Sequence, residues 1–156
     1  MAERGDGMVS YLKGDLFEYG ADCLVNAVNC EGVMGKGLAL QFKTRFPENF
    51  KSYVKACKSG ELKIGKLHFF TENGITVVNL PTKDKWRQAS KIEYIEEGMQ
   101  CLVRLLPELG VKKIAIPSLG CGNGGLLWED VKKVIEGKIS GLEEKYDFLI
   151  FEPMEL

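Results

Sequence analysis

The sequence predicts an α/β protein, folded as a three-layer α/β/α sandwich around a central mixed sheet. Short β-rich runs alternate with amphipathic helical segments, which is the pattern of layered α/β folds. Its 156 residues fit a single domain. Hydrophobic residues make up 45% and charged residues 28%, so a disordered chain is excluded. We therefore expect one domain over residues 1–156.

The first part of the chain predicts two strands and two helices. Strands are expected over residues 8–13 and 23–27, where β-branched and aromatic residues are frequent. A short helix is expected over residues 37–46. A second helix is expected over residues 47–58, because proline favours the first turn of a helix and Gly60 follows the last.

A β-hairpin and the longest helix are predicted in the middle of the chain. β-rich runs at residues 66–70 and 76–80 flank an Asn-Gly pair at 73–74, which favours a two-residue hairpin turn. Residues 90–93 have the spacing of a capping box, which predicts that a helix begins there. That helix ends before Gly110, and its apolar stripe comprises Ile92, Ile95, Met99, Leu102, Leu106 and Leu109.

The last part predicts two short strands and one helix. Apolar runs at residues 114–117 and 148–151 predict the strands. Between them, a glycine-rich loop over residues 118–125 precedes the helix. The apolar stripe of this helix comprises Trp128, Val131, Val134, Ile135, Ile139 and Leu142.

Charge and cysteine content narrow the class of protein. A formal charge of −1 means that any contact with nucleic acid must come from a local cluster. The five cysteines include no C-x-x-C pair, which argues against a disulfide framework or a zinc site and indicates a reducing compartment. Residues 1–7 lack the apolar segment of a signal peptide, and no apolar run approaches the about 18 residues of a membrane span. We expect a cytoplasmic protein without a membrane partner.

The loop over residues 118–125 is a candidate phosphate site. Its glycines let backbone N–H groups approach an anion, and the following helix adds a positively polarised N-terminus. Gly120, Gly122 and Gly125 also satisfy G-x-G-x-x-G, but a dinucleotide fold places that motif in its first βα turn. A phosphate cradle is therefore favoured over a nicotinamide dinucleotide site or a merely tight turn. Its residues are Ser118, Leu119, Gly120, Cys121, Gly122, Asn123, Gly124 and Gly125.

Residues 29–37 form another glycine-rich loop, again between a predicted strand and a predicted helix. In chain order, we call residues 29–37 the first glycine-rich loop and residues 118–125 the second. Gly35 and Lys36 are similar to the end of a Walker motif, but Gly37 replaces the serine or threonine that would hold magnesium. NTPase chemistry is therefore not expected. The two glycine-rich loops can instead flank one elongated diphosphate ligand.

A basic segment after a predicted strand is the third candidate site. Ligand sites of α/β folds gather outside the carboxyl ends of strands, whereas a plain solvated loop is the alternative. Lys83 can act as a nucleophile when its amine is neutral, a form that the neighbouring cation Lys85 favours. Trp86 and Arg87 offer a stacking face and a phosphate contact suited to single-stranded nucleic acid, with Lys85 as a further cation.

Two other reactive residue types receive structural interpretations. His68 is the one histidine and lies in an apolar run, so we expect a packed side chain. Cys121 has the position of a nucleophile within its loop, but no base accompanies it in the sequence. A small packing residue is the favoured interpretation of Cys121.

Together these motifs resemble the macrodomain family, whose members bind ADP-ribose, over nearly the whole chain. The resemblance implies that Asp15 accepts a hydrogen bond from the adenine amino group, beside Leu16, while Phe151 stacks on adenine. It implies that Asn29 lies beside the distal ribose. The two glycine-rich loops would hold the diphosphate and line that ribose.

Three strings resemble the DarG antitoxin macrodomains more specifically, at residues 33–43, 79–83 and 120–126. Proteins of that group remove ADP-ribose from thymidine bases in DNA, and the related terminal ADP-ribose protein glycohydrolase cleaves it from glutamate. In both, the lysine after a Pro-Thr string is catalytic, which here is Lys83. The glutamate-directed relative carries an aspartate where this chain has Gly124, which favours DarG-like chemistry.

The resemblance implies a DNA ADP-ribosyl glycohydrolase with Lys83 and Asn29 as catalytic residues and no metal or redox cofactor. The implied partners are ADP-ribose, ADP-ribosylated single-stranded DNA and a cognate DarT-type toxin. Alternative functions are a protein-glutamate ADP-ribose hydrolase, an ADP-ribose 1″-phosphate phosphatase, and a non-catalytic ADP-ribose-binding module. The last would need no reactive lysine at position 83.

Overall fold

The computed structural model describes residues 8–154, which form a six-stranded sheet with helices on both faces. The strands are β1 (Val9–Leu12), β2 (Cys23–Val28), β3 (His68–Glu72), β4 (Ile75–Pro81), β5 (Lys113–Ile116) and β6 (Asp147–Phe151). The helices are α1 (Gly37–Arg45), α2 (Pro47–Ser59), α3 (Ile92–Leu109) and α4 (Trp128–Ile139). Residues 1–7, for which the sequence predicts no signal peptide, and residues 155–156 lie outside the described part.

The sheet is mixed, as predicted. Its strand order is β1-β6-β5-β2-β4-β3, and every neighbouring pair is parallel except the hairpin of β3 and β4. Parallel strands carry their carboxyl ends to one edge, so the loops that follow β1, β2, β4, β5 and β6 gather there. No helix within residues 8–154 is long and apolar enough to cross a membrane.

Each face of the sheet buries its own apolar cluster, which confirms the three-layer architecture. Successive strand residues point to opposite faces, so Val25 joins the cluster under α3 and α4 while Leu24 joins the cluster under α1 and α2. Leu102 and Ile135 contribute to the first cluster, and Phe42 to the second. Burying each such side chain contributes roughly 1.5–3 kcal/mol to the free energy of unfolding.

Local signals placed most element ends within one residue. The predicted apolar stripe of α4 extends too far, because the helix ends at Ile139 and Leu142 lies beyond it. Asn73 and Gly74 have φ values of 53° and 79°, as a type I′ hairpin turn requires. Gly60 and Gly110 end α2 and α3 in the left-handed conformation. The first hairpin strand begins at His68, two residues later than predicted.

The predicted capping box before α3 is wrong. Lys91 is the N-cap residue of α3, and no side chain caps the helix. The N–H of Ser90 donates instead to the carbonyl oxygen of Gly124 at 3.0 Å. This bond draws Ser90 toward the second glycine-rich loop, so the helix begins after it. The Ser90 hydroxyl is buried and has no hydrogen-bond partner among the described residues.

The predicted packing of His68 is confirmed. The side chain is 6% exposed, and its Nδ1 lies 2.9 Å from the amide nitrogen of Asn79. Because an amide nitrogen only donates, Nδ1 must accept, so Nε2 carries the hydrogen and donates to the Ser52 hydroxyl at 2.8 Å. This network requires a neutral imidazole.

We therefore expect the free energy of unfolding to fall as the pH is lowered from about 7.5 to about 5.5. Burial lowers the pKa of His68, an effect that Glu61 partly opposes. The unfolded chain, with a histidine pKa of about 6.5, then binds the proton better than the folded chain does. Urea unfolding across this range checks the prediction, with His68→Gln as the control that should flatten the slope. A parent protein with equal stability at both ends would contradict it.

Candidate active site

An elongated cleft lies at the carboxyl edge of the sheet and consists of two adjoining cavities. The larger has a volume of about 570 Å³ and the smaller about 400 Å³. Leu38, Pro117 and Ser118 line both, so the cavities meet at these residues. Each volume falls in the range of small-molecule sites. The cleft therefore has the length and position expected for an extended ligand.

The smaller cavity contains the three residues that the resemblance implies for adenine. Asp15, Leu16 and Phe151 all line it, although they come from opposite ends of the chain. One carboxylate oxygen of Asp15 accepts the N–H of Phe17 at 2.9 Å, which begins a single 3₁₀ turn. The other carboxylate oxygen has no partner among residues 8–154, so it is free to accept a hydrogen bond from a ligand.

The first glycine-rich loop forms one wall of the larger cavity. Asn29, Val33, Gly35, Lys36 and Gly37 line it, and all five lie within the loop predicted at residues 29–37. The Asn29 amide nitrogen donates to the carbonyl oxygen of Val33 at 2.9 Å, which closes the loop on itself. This loop therefore enters the site with a fixed shape.

The second glycine-rich loop forms the facing wall. Ser118, Gly120, Cys121, Asn123 and Gly124 line the cavity, whereas Leu119, Gly122 and Gly125 do not. The side chain of Leu119 is fully buried in the core under α3 and α4, which ties the loop to the sheet.

Gly120 shows why this loop needs glycine. Its φ is +75°, and a Cβ there would lie 2.6 Å from a methyl carbon of Leu126. Burial raises the pKa of the neighbouring Cys121 to about 11. A neutral thiol is a weak nucleophile, which supports the packing interpretation of Cys121.

The basic segment lines one end of the larger cavity. Lys83 and Trp86 line it, and the Lys83 amine donates to the carbonyl oxygen of Trp86 at 3.2 Å. The backbone N–H of Trp86 donates to the Glu31 carboxylate at 3.0 Å, so the segment is bound to the first glycine-rich loop. Lys85 and Arg87 are exposed and do not line the cavity, but the Arg87 guanidinium lies 4.6 Å from the Trp86 ring centre.

Sequence reasoning missed several residues of the cleft. Thr82 lies in the string at residues 79–83, directly before Lys83, and that position indicates its place in the cleft. The spacing of residues 90–93 predicts a helix cap at Ser90 and gives no sign of its contact with Gly124. The missed lining residues include Leu38, Gln41, Thr82, Ser90 and Pro117.

The cleft offers hydrogen-bonding side chains, backbone amides and two lysines, Lys36 and Lys83. Among residues 8–154, no group of three or more His, Cys, Asp and Glu side chains is arranged to hold a metal ion. Lys83 lies at one end and the Asp15 carboxylate at the other, with glycine-rich backbone between them. Such an arrangement can hold an anionic ligand along its length and present a primary amine to one terminus.

Comparison with known proteins agrees with this geometry. Residues 25–135 match the family described as Macro domain. The DNA ADP-ribosyl glycohydrolase of Thermus aquaticus is 44% identical over 152 residues, and the Mycobacterium tuberculosis protein of that name is 46% identical over 151 residues. These alignments cover 95% and 94% of this chain, which spans 42% of the length of each relative.

A solved structure shows the same fold. The macrodomain of Mycobacterium tuberculosis DarG superposes with a TM-score of 0.91 at 45% identity, covering 95% of this chain and 99% of that one. The predicted resemblance to DarG macrodomains is therefore confirmed. With the family match over more than half of its length, this chain belongs to the Macro domain family.

Proposed function

We propose that this domain is a DNA ADP-ribosyl glycohydrolase that removes ADP-ribose from thymidine bases in single-stranded DNA. The observation that carries the proposal is the amine of Lys83 at the end of a cleft built from two glycine-rich loops. The strong similarity to proteins named DNA ADP-ribosyl glycohydrolase supports it.

The shape of the cleft fits ADP-ribose. Adenine would occupy the smaller cavity beside Asp15 and Phe151, and the diphosphate would lie where the cavities meet at Ser118. The distal ribose would then lie between Asn29 and Lys83. The Thermosipho africanus DarTG structure, described as a complex with ADP-ribose, supports this ligand; it has a TM-score of 0.86 at 32% identity and covers 95% of this chain and 42% of that one.

Hydrolysis breaks the bond between the anomeric carbon and the thymine base, and water supplies the hydroxyl and the proton of the products. Positive charge develops at the ribose in an oxocarbenium-like transition state. Lys83 can act in one of two ways. As a neutral amine it can attack the ribose as a nucleophile, and as an ammonium group it can protonate the departing base. Asn29 would orient the ribose, and the glycine-rich loops would convert diphosphate binding into positioning.

A single DNA strand would pass the open end beside Lys83. Trp86 is 43% exposed and one face of its ring carries the Arg87 guanidinium, which leaves the other face for a base. Lys85 and Arg87 are exposed and would contact phosphates. A local cluster of this kind is consistent with the near-neutral charge of the whole chain.

Loss of both Trp86 and Arg87 is expected to slow processing of a modified oligonucleotide at subsaturating concentration about ten-fold or more, because base stacking alone contributes ~1–3 kcal/mol. Free ADP-ribose should bind the Trp86→Ala, Arg87→Ala variant as it binds the parent. Initial rates at low and high salt measure the effect, since phosphate contacts weaken with salt. Equal rates for variant and parent at both salts would remove DNA contact from the proposal.

The biological setting is proposed on the same basis. We propose that residues 1–156 form a single cytoplasmic antitoxin domain. Its partner would be a DarT-type toxin that modifies DNA. A Thermosipho africanus protein named as a fusion of DNA ADP-ribosyl transferase and DNA ADP-ribosyl glycohydrolase is 35% identical over 154 residues. That fusion supports a functional link between the two activities.

One assay tests the proposed function against its alternatives. Equal concentrations of the protein are incubated with an oligonucleotide ADP-ribosylated on thymidine, a protein ADP-ribosylated on glutamate, and ADP-ribose 1″-phosphate. We expect release of ADP-ribose from the oligonucleotide at least ten-fold faster than product from the other two. Preferred turnover of either other substrate would replace the proposal, and binding without any turnover would indicate a reader module.

A further inference from the structure

The Asn29 side chain has a fixed orientation in the cleft. Its amide oxygen accepts hydrogen bonds from the backbone N–H groups of Glu31 at 3.0 Å and Val33 at 3.3 Å. Backbone N–H groups only donate, so the atom facing them must be the oxygen. The amide nitrogen donates one hydrogen to the Val33 carbonyl oxygen, and its second hydrogen has no acceptor among the described residues.

A tyrosine of α2 contacts Asn29 and holds its side chain in this orientation. Tyr53 is fully buried, and its hydroxyl lies 2.8 Å from the carbonyl oxygen of Asn29 and 3.0 Å from the amide oxygen of Asn29. Both acceptors belong to one residue, so this hydroxyl links the Asn29 side chain to its own backbone. Burial raises the pKa of Tyr53, which keeps the phenol protonated and able only to donate to these oxygens.

We infer that Tyr53 is a positioning residue for Asn29, and that it fixes this asparagine as a hydrogen-bond donor toward the ribose. The amide oxygen accepts from two backbone N–H groups and shares the Tyr53 hydroxyl hydrogen with the Asn29 carbonyl oxygen, so the amide can offer the ligand only an N–H. The inference rests on the proposed function, because the orientation of Asn29 matters to a reaction only if the cleft binds ADP-ribose. It adds a buried residue of α2, which does not line the cleft, to the residues that shape the site.

A purely structural role for Tyr53 predicts different behaviour. The ring packs near Phe50 at 6.2 Å between centres, and a phenylalanine at position 53 would keep that packing. The two described oxygens that the hydroxyl contacts both belong to Asn29. If the hydroxyl served only folding, its removal would lower stability without changing what Asn29 does to the ligand.

Tyr53→Phe tests the inference in a double-mutant cycle with Asn29→Ala. We expect Tyr53→Phe alone to lower oligonucleotide turnover and ADP-ribose affinity about ten-fold, the effect of one ordinary hydrogen bond. In the Asn29→Ala background it should have no further effect, since the group it positions is gone. Tyr11→Phe is the matched control: it also removes a hydroxyl contact, to Glu136, and should leave both quantities unchanged.

Asn29→Asp tests the donor assignment. A carboxylate can accept from Glu31, Val33 and Tyr53, but it cannot donate, so this near-isosteric variant should be as impaired as Asn29→Ala. Parental activity of Asn29→Asp would overturn the donor assignment.

Several outcomes separate this inference from the proposed function. Additive losses in the cycle, or a Tyr53→Phe variant equal to the parent, would overturn the inference while the proposed function stands. If the parent protein binds ADP-ribose but does not turn over the oligonucleotide, the double-mutant cycle still tests the inference through the affinity for ADP-ribose. A parent that does not bind ADP-ribose overturns both.

Discussion

Lys83→Ala is expected to lower the turnover of an oligonucleotide ADP-ribosylated on thymidine by about 10²–10⁴-fold, the range for loss of a group that transfers a proton in the transition state. Loss of a nucleophile would place the effect at the upper end. The affinity for free ADP-ribose should stay within about three-fold of the parent, because the amine acts on the transition state more than on the bound ligand. Single-turnover rates and calorimetry measure the two quantities.

Two further lysine variants sharpen this test. Lys83→Arg keeps a positive charge, but a guanidinium stays protonated and so neither attacks carbon nor gives up a proton. It should be as slow as Lys83→Ala if the amine performs chemistry, and faster if charge alone is needed. Lys55→Ala, an exposed lysine of α2 outside the cleft, should match the parent. Near-parental turnover of Lys83→Ala would make Lys83 a binding or surface residue.

The sequence predicted the layers of the fold because periodicity and turn residues are local signals. The Asn-Gly pair at 73–74 predicted its hairpin from two residues, and the apolar stripe of α3 predicted the helix face that the core buries. The order of the strands in the sheet could not be predicted from such local signals. β2 lies between β4 and β5, and that arrangement depends on contacts between distant segments, which no local pattern encodes.

The candidate site was predicted only in part, because local signals indicate its loops but not the contacts between them. Glycine-rich loops and Lys83 follow strands, so a rule about strand ends indicated them. The contacts that shape the cleft join segments far apart in the chain, as Glu31 does with Trp86 and Tyr53 with Asn29. Ser90 is an example in which a local pattern predicts the wrong contact. Its spacing to Glu93 suits a helix cap, but its backbone N–H donates to the carbonyl oxygen of Gly124.

Gly124→Asp is expected to weaken ADP-ribose binding about ten-fold or more and to destabilise the fold by ~1–3 kcal/mol, as overpacking does. A Cβ at this position would lie 2.4 Å from the Ser90 hydroxyl oxygen and 3.0 Å from the Ser90 Cβ. The backbone at Gly124 is not left-handed, so the cost comes from this contact rather than from strain. Calorimetry with ADP-ribose and urea unfolding measure the two losses.

A compensating change in Ser90 provides the decisive comparison for Gly124. Ser90→Gly removes both atoms that a side chain at 124 would meet, so the Ser90→Gly, Gly124→Asp double variant should recover most of the affinity that Gly124→Asp loses. Ser90→Ala should restore less, because its Cβ remains 3.0 Å away. If Gly124→Asp alone binds ADP-ribose as tightly as the parent, Ser90 does not restrict this position. If the double variant recovers binding, the Ser90 side chain is what keeps a carboxylate out of this loop, and the same variant then shows whether a carboxylate there promotes cleavage from glutamate.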